Sequence, residues 1–299
     1  MKKTRHAFFL ICFYSPRISA AERGPAPISH LTPIGMYAAS PMGVVFPAFN
    51  SAAIINPGAL TLEKGASVET VYGPPIGGGN VSSFGASIAA ARRTLGFTAG
   101  YLGQHDTTFT NGAFVGTAFR ANDFGFGASL VDRDITSGFS PSVELGAVLK
   151  TAGGVQAGAV LYDVTKAPQL GFGVGYSSGK QFFLEANMLL PSFTKSASTT
   201  STSSTTTTTT PGIATSATAT NEYIFTVAAS ANVAALGFFF NSSYFMASKA
   251  FVHTLGAMAW LGTQFYVSGQ YSTHGVSSGA VYSNYTNNYF TFGLGYAFQ

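Results

Sequence analysis

From about residue 66 to the C-terminus, large apolar side chains alternate with glycine or other small residues at a period of two, which is the signature of strands. Leu170, Phe172, Val174 and Tyr176 alternate with Gly171, Gly173 and Gly175. Phe290, Phe292, Leu294, Tyr296 and Phe298 alternate with Thr291, Gly293, Gly295 and Ala297. In a soluble sheet the second face would be charged and solvated, whereas here it is mostly small. An apolar outside with small or polar inward positions is what a barrel in lipid requires. The pattern predicts strands at 66–73, 81–91, 94–104, 110–120, 123–133, 141–151, 154–164, 169–178, 180–190, 221–231, 235–245, 250–260, 263–273 and 288–298. Most are close to the 9–11 residues, roughly, that a tilted strand needs to cross the hydrocarbon core. Short and long connections alternate along the chain, so one end of the barrel carries turns and the other carries loops. The fold class expected is therefore all-β: a transmembrane, antiparallel, up-and-down β-barrel of about fourteen strands, with an N-terminal plug segment in its lumen.

The plug follows from residues 22–65, which are apolar, proline-rich and without sustained alternation. A stretch this long and apolar needs burial, and a fourteen-stranded lumen needs filling. Residues 1–21 read as a secretory leader: Lys2, Lys3 and Arg5, then the apolar run Ala7–Tyr14, then Ser19, Ala20 and Ala21. The barrel occupies 66–299. Within it, fourteen of the fifteen residues at 196–210 are Ser or Thr, which predicts a solvated external loop.

Composition supports this reading. Charged residues are only 9% of the chain and the mean hydropathy is +0.25. Four of the fifteen basic residues lie in the leader, and the remaining eleven balance eleven acidic ones, so no nucleic-acid partner is expected. The single Cys12 excludes an intrachain disulfide framework. No metal-ligand spacing or phosphate-cradling motif appears, so no cofactor, metal or enzymatic role is expected. His105 and Asp106, the nearest approach to a catalytic pair, should point to opposite faces of a strand.

Candidate site residues follow from the alternation. Glu69, Glu144, Lys150, Glu185, Asn187, Gln264 and Gln270, with Gln156, are expected to face the lumen. Such scattered polar groups do not form the opposed charged rows of an open ion-conducting porin, and an apolar cargo is favoured. Phe109, Phe139, Phe193, Tyr244, Phe245 and Phe251 fall near loop ends and are candidates for an apolar entry patch, or for an aromatic belt at the lipid interface.

The pre-barrel segment contains Asn56-Pro57-Gly58-Ala59-Leu60 after small and apolar residues. In this, and in its hatch-plus-fourteen-strands plan, the chain resembles the FadL-type long-chain fatty-acid and hydrocarbon transporters of Gram-negative outer membranes. Their hatch carries an Asn-Pro-Ala-Gly-Leu-like motif, matched here at Asn56, Pro57 and Leu60 with Gly58 and Ala59 exchanged. The resemblance implies passive uptake of hydrophobic small molecules, with the plug around Asn56 and Pro57 as the moving part. It also implies outer-membrane lipid and lipopolysaccharide as surroundings. The row ending at Phe298, one residue before Gln299, is similar to the signal read by the outer-membrane assembly machinery. Related barrels with a similar motif serve protein secretion. The alternative is a plugged structural or surface barrel, an adhesin or secretion partner, without a small-molecule conduit.

Overall fold

The computed structural model describes residues 43–47, 50, 52–62, 64–73, 82–105, 109–132, 135, 138–166, 168–178, 181–191, 193, 223–246, 249–273 and 289–298. The leader expected at 1–21, the first part of the expected plug and the Ser/Thr tract at 196–210 lie outside the described residues. Fourteen strands close into one antiparallel barrel: β1 (Gly65–Gly73), β2 (Ser82–Arg92), β3 (Leu95–His105), β4 (Phe109–Ala121), β5 (Phe124–Asp132), β6 (Ser142–Lys150), β7 (Val155–Tyr162), β8 (Gln169–Ser178), β9 (Phe182–Leu189), β10 (Ile224–Val233), β11 (Leu236–Phe245), β12 (Ala250–Leu261), β13 (Phe265–Thr273) and β14 (Tyr289–Phe298). Each strand pairs with its sequence neighbours, and β1 closes the ring on β14 with Val68 opposite Tyr296. Closure leaves no strand edge unpaired, the condition for a sheet in lipid.

The two faces sort as the alternation predicts. Along β8, Phe172, Val174 and Tyr176 are exposed on the outside while Gly171, Gly173 and Gly175 are buried inside. Ile88, Phe97, Phe126, Phe240, Leu255 and Leu294 are likewise outward and exposed. At the turn end Phe265, Tyr296 and Phe298 stack outside with centroids 4.7 and 4.8 Å apart, and the Tyr296 hydroxyl donates to Gln264 at 2.7 Å. At the loop end Tyr244 and Phe251 pair at 4.7 Å. These are two aromatic girdles bounding an apolar band.

Val174 lies midway along β8 and is 59% exposed. Val174→Arg is expected to destabilise the barrel by about 2–4 kcal/mol, and arginine at Phe182, beside a turn, by about 0–1 kcal/mol. Urea unfolding in lipid vesicles measures both.

The hairpins at the turn end are tight. Asn122 has φ 53°, the left-handed conformation that a two-residue connection needs and that asparagine tolerates. Lys150 and Gln264 differ from the lumen positions expected of them. Lys150 is exposed at the turn end of β6, and Gln264 sits in the turn before β13. The alternation fades at the turns, where neither side chain has a wall to face.

Candidate functional site: the plugged lumen

The described part of the pre-barrel segment lies inside the barrel. A short helix α1 (Ala52–Ile55) leads through Asn56 into a 3-10 helix (Pro57–Leu62), and both are buried. Pro57 suits this junction because its missing N–H is one that a helix start leaves unbonded anyway. The two helices pack on β2–β6. Gly43–Phe46 packs farther round: Val44 joins a buried cluster with Val160, Tyr162, Leu189, Ile224 and Phe245, while the Phe46 ring meets Phe183 edge-on at 5.2 Å.

Asn56 is the elbow of the plug and is fully buried. Its amide donates to the Val44 carbonyl at 2.6 Å and to the Ala147 carbonyl of β6 at 3.1 Å, and its own oxygen accepts from the Gly58 N–H at 3.1 Å. One side chain thus ties two plug segments to each other and to the wall. Other polar groups do the same work nearby. Asn50 donates to Ser87 Oγ at 3.0 Å and accepts from Ser67, and Thr98 donates to the Asn50 carbonyl at 3.2 Å. Ser129 donates to the Ala53 carbonyl, and the Tyr162 hydroxyl donates to the Ile55 carbonyl at 2.7 Å. Glu185 accepts from the Phe46 N–H at 3.1 Å.

Glycine makes this docking possible. A Cβ at Gly127 would lie 2.5 Å from Pro57 carbonyl atoms, and one at Gly125 would lie 2.5 Å from the Gly58 oxygen. At Gly158 it would lie 2.7 Å from the Val44 oxygen, and at Gly146 it would overlap Asn56 itself. The wall carrying the plug is therefore paved with glycine because backbone meets backbone there. The far wall carries bulk instead: Phe239, Met258, Trp260 and Tyr266 fill the turn end of the lumen.

Glu69, Glu144, Glu185, Asn187 and Gln270 point inward and are buried, as does Gln156. Of the motif residues, Asn56, Pro57, Gly58 and Leu60 are all buried in the plug, with Leu60 against Ala89, Ala91 and Ala118. The aromatic candidates divide. Phe139 and Phe193 are 81% and 59% exposed beyond the strand ends. The connections beneath them are knit together: Lys166 donates to the Ser140 carbonyl, and the Phe193 N–H to the Pro168 carbonyl at 3.0 Å. Tyr244 and Phe251 belong to the outer girdle. Phe245 corrects the expectation of an entry residue, because it faces inward and is buried in the cluster that contains Val44. Phe109 opens β4, and its side chain lies outside the described residues. His253 stands on the outer face between Phe240 and Phe251, at 6.1 and 5.9 Å.

Alternation alone does not single out Asn50 or Tyr162, which act through bonds between plug and wall that no periodicity marks.

On the outer face of β9–β13 a groove of about 530 Å3 runs between Phe182, Phe238, Phe240, Leu255 and Tyr271. Small outward residues such as Ala229, Ala257 and Gly269 form its floor.

No protein-family model matches the chain, and no curated protein matches it. Among solved structures it is similar to engineered variants of a Rhodopseudomonas blastica porin. A triple mutant and a second, more heavily substituted variant each overlap 78% of this chain and 98% of their own at 10% identity, with a TM-score of 0.45. An overlap at this level carries no implication for cargo.

Proposed function

We propose that the chain is an outer-membrane barrel for the passive uptake of hydrophobic small molecules such as long-chain fatty acids, working as a FadL-type hatch and barrel. One observation carries this reading: a plug that turns at Asn56-Pro57 is seated on a glycine wall by a few side-chain hydrogen bonds. Such a contact can be broken and remade without disturbing the strands, because none of its bonds belongs to the barrel ladder. The inward surface also lacks opposed acidic and basic rows among the described residues, so it is not built like a hydrated ion constriction.

In this reading an apolar molecule first leaves water at Phe139 and Phe193, gaining roughly 25 cal/mol per Å2 of apolar surface removed from water. It then passes a displaced plug, or leaves sideways toward the groove on β9–β13. Lipopolysaccharide and outer-membrane lipid surround the barrel, and the outer-membrane assembly machinery inserts it. The second reading is a plugged structural or surface barrel, an adhesin or secretion partner. It is favoured by the burial of the inward side chains among the described residues.

Uptake of a labelled long-chain fatty acid by Gram-negative cells with and without the gene separates the two. Several-fold faster uptake with the gene is expected, and equal uptake would favour the structural barrel.

A further inference from the structure

The even balance of charge beyond the leader hides a polarity. Among the described residues the turn end of the barrel carries Lys64, Arg92, Arg93, Arg120 and Lys150 against one acid, Asp123. Near the loop end Asp132 and Asp163 stand against Lys166 and Lys249. Short turns face the periplasm in outer-membrane barrels, so the basic end meets the inner, phospholipid leaflet. The basic residues there are not used alike. Arg120 donates to the Asn122 carbonyl at 2.8 Å and to the Thr61 carbonyl at 3.4 Å, and so serves the turn and the end of the plug. Lys64, Arg92 and Arg93 are exposed, and among the described residues their side chains have no hydrogen-bond or ion-pair partner.

The register brings these three together. Gly65 lies opposite Ala91, so Lys64, Arg92 and Arg93 gather where β1 begins and β2 turns into β3. Arg92 shares the outward parity of Ile88 and Ala90 and lies opposite the exposed Leu95. One outward position farther from the rim, a single row crosses four strands: Phe298, Ala66, Ala90 and Phe97, each opposite the next. Both rings are exposed. The two alanines leave a notch between them about 10 Å wide, twice the strand spacing. Toward the middle of the bilayer the same two strands continue with Val68 opposite Ile88, both exposed. Cations at the rim, then a notch, then an apolar surface follow the order in which a phospholipid presents its phosphate and its chains. An acidic soluble protein would meet the cations but has no use for the notch.

We propose that this face is a binding site for an anionic phospholipid of the periplasmic leaflet, its phosphate held by Lys64, Arg92 and Arg93 and its first acyl methylenes laid in the Ala66–Ala90 notch. Three cations, offset by Glu63 beside Lys64 in the sequence, favour a head group of net negative charge over a zwitterionic one, whose own cation they repel. The site stands whether or not the lumen carries cargo.

The chain's single tryptophan, Trp260, is buried in the lumen, so in a Trp260→Phe background a tryptophan placed outside reports its own lipid neighbours. Phe97→Trp places the reporter beside the notch. Phe238→Trp places it at matching depth on β11, where the connections at 234–235 and 262–264 carry no charge. Each barrel is reconstituted in phosphatidylcholine mixed with phosphatidylglycerol of brominated chains, and quenching gives the relative association constant of the two lipids at each position. Phosphatidylglycerol is expected to be favoured about tenfold at Phe97→Trp in low salt, and the two lipids to bind about equally at Phe238→Trp. Arg92→Gln with Arg93→Gln, or roughly 1 M salt, should bring the first ratio close to one, whereas Lys249→Gln at the loop end should leave it alone. Lys64→Gln with Arg93→Gln tests the same loss if the double arginine variant fails to assemble. Water-soluble glycerol phosphate should not compete, because it has no chains to lay in the notch. Equal ratios at the two reporters would overturn the proposal and leave the cluster to an acidic soluble partner. A ratio at Phe97→Trp unmoved in the variants that assemble, or full competition by glycerol phosphate, would overturn it as well.

Discussion

Asn56→Leu is expected to unseat the plug. The substitution keeps the volume but leaves the Val44 carbonyl and the Gly58 N–H buried without their partner, and removes a tie to the Ala147 carbonyl of the wall. Each such orphan costs about 1–3 kcal/mol. Two of them amount to about 4 kcal/mol, on the order of a thousandfold in the equilibrium between seated and displaced plug. The strands lose little, because Ala147 is the only wall residue involved and its ladder pairing to Phe126 and Ala159 is untouched. In a planar bilayer the parent barrel should stay closed for nearly all of the recording and the variant should stay mostly open. A variant that remains closed would show that Asn56 does not hold the hatch.

The second large effect is expected from Gly127→Val, which attacks the same contact from the wall. Its Cβ would fall 2.5 Å from Pro57 carbonyl atoms and 2.9 Å from the Gly58 nitrogen. These are backbone atoms and cannot swing aside, so relief comes from lifting the plug, at 3 kcal/mol or more by the upper end of what overpacking costs, roughly 1–3 kcal/mol. The strand itself should gain, since valine suits β structure and glycine in a strand interior gives up about 0.5–1 kcal/mol relative to alanine. The expected result is a barrel as heat-resistant as the parent, or more so, that conducts. Gly153→Ala is the control: its Cβ would meet nothing within 4 Å, and neither property should move. A Gly127→Val barrel that melts early and stays closed would place the glycine's role in the sheet rather than in plug docking.

The barrel was legible because its signal is local. Each strand's two faces differ in size within a few residues, so the observed β8 matches the expected 169–178, and most other strand ends agree to within one or two residues. β10 is the exception, expected at 221–231 and found at Ile224–Val233. Ala228, Ala229 and Ala231 put small residues on both faces there, so hydrophobic contrast is weak over the second half of the strand and does not fix where it ends. Asn241, Ser243 and Phe245 share one parity, and the expectation of Phe245 as an entry residue followed its aromatic character and its place near a loop rather than that parity. The plug was legible only as a segment in need of burial. Its partners, such as Asn56 with Ala147 or Phe46 with Glu185, are about a hundred residues apart, and no periodicity links them. The run of inward glycines on β4–β8 was the available clue, because a wall needs that much glycine only where another backbone lies against it.

A side-chain accessibility scan along β8 tests the central claim, that alternate residues of this chain face lipid and the interior of a closed barrel. With Cys12 replaced, single cysteines at positions 171–176 carry a spin label in reconstituted vesicles. Oxygen dissolved in the bilayer should relax the labels at 172, 174 and 176 strongly and those at 171, 173 and 175 weakly, with a water-soluble nickel chelate reaching none of the first three. A flat profile along the six positions, or relaxation by the chelate at Phe172→Cys, Val174→Cys and Tyr176→Cys, would contradict a lipid-embedded barrel.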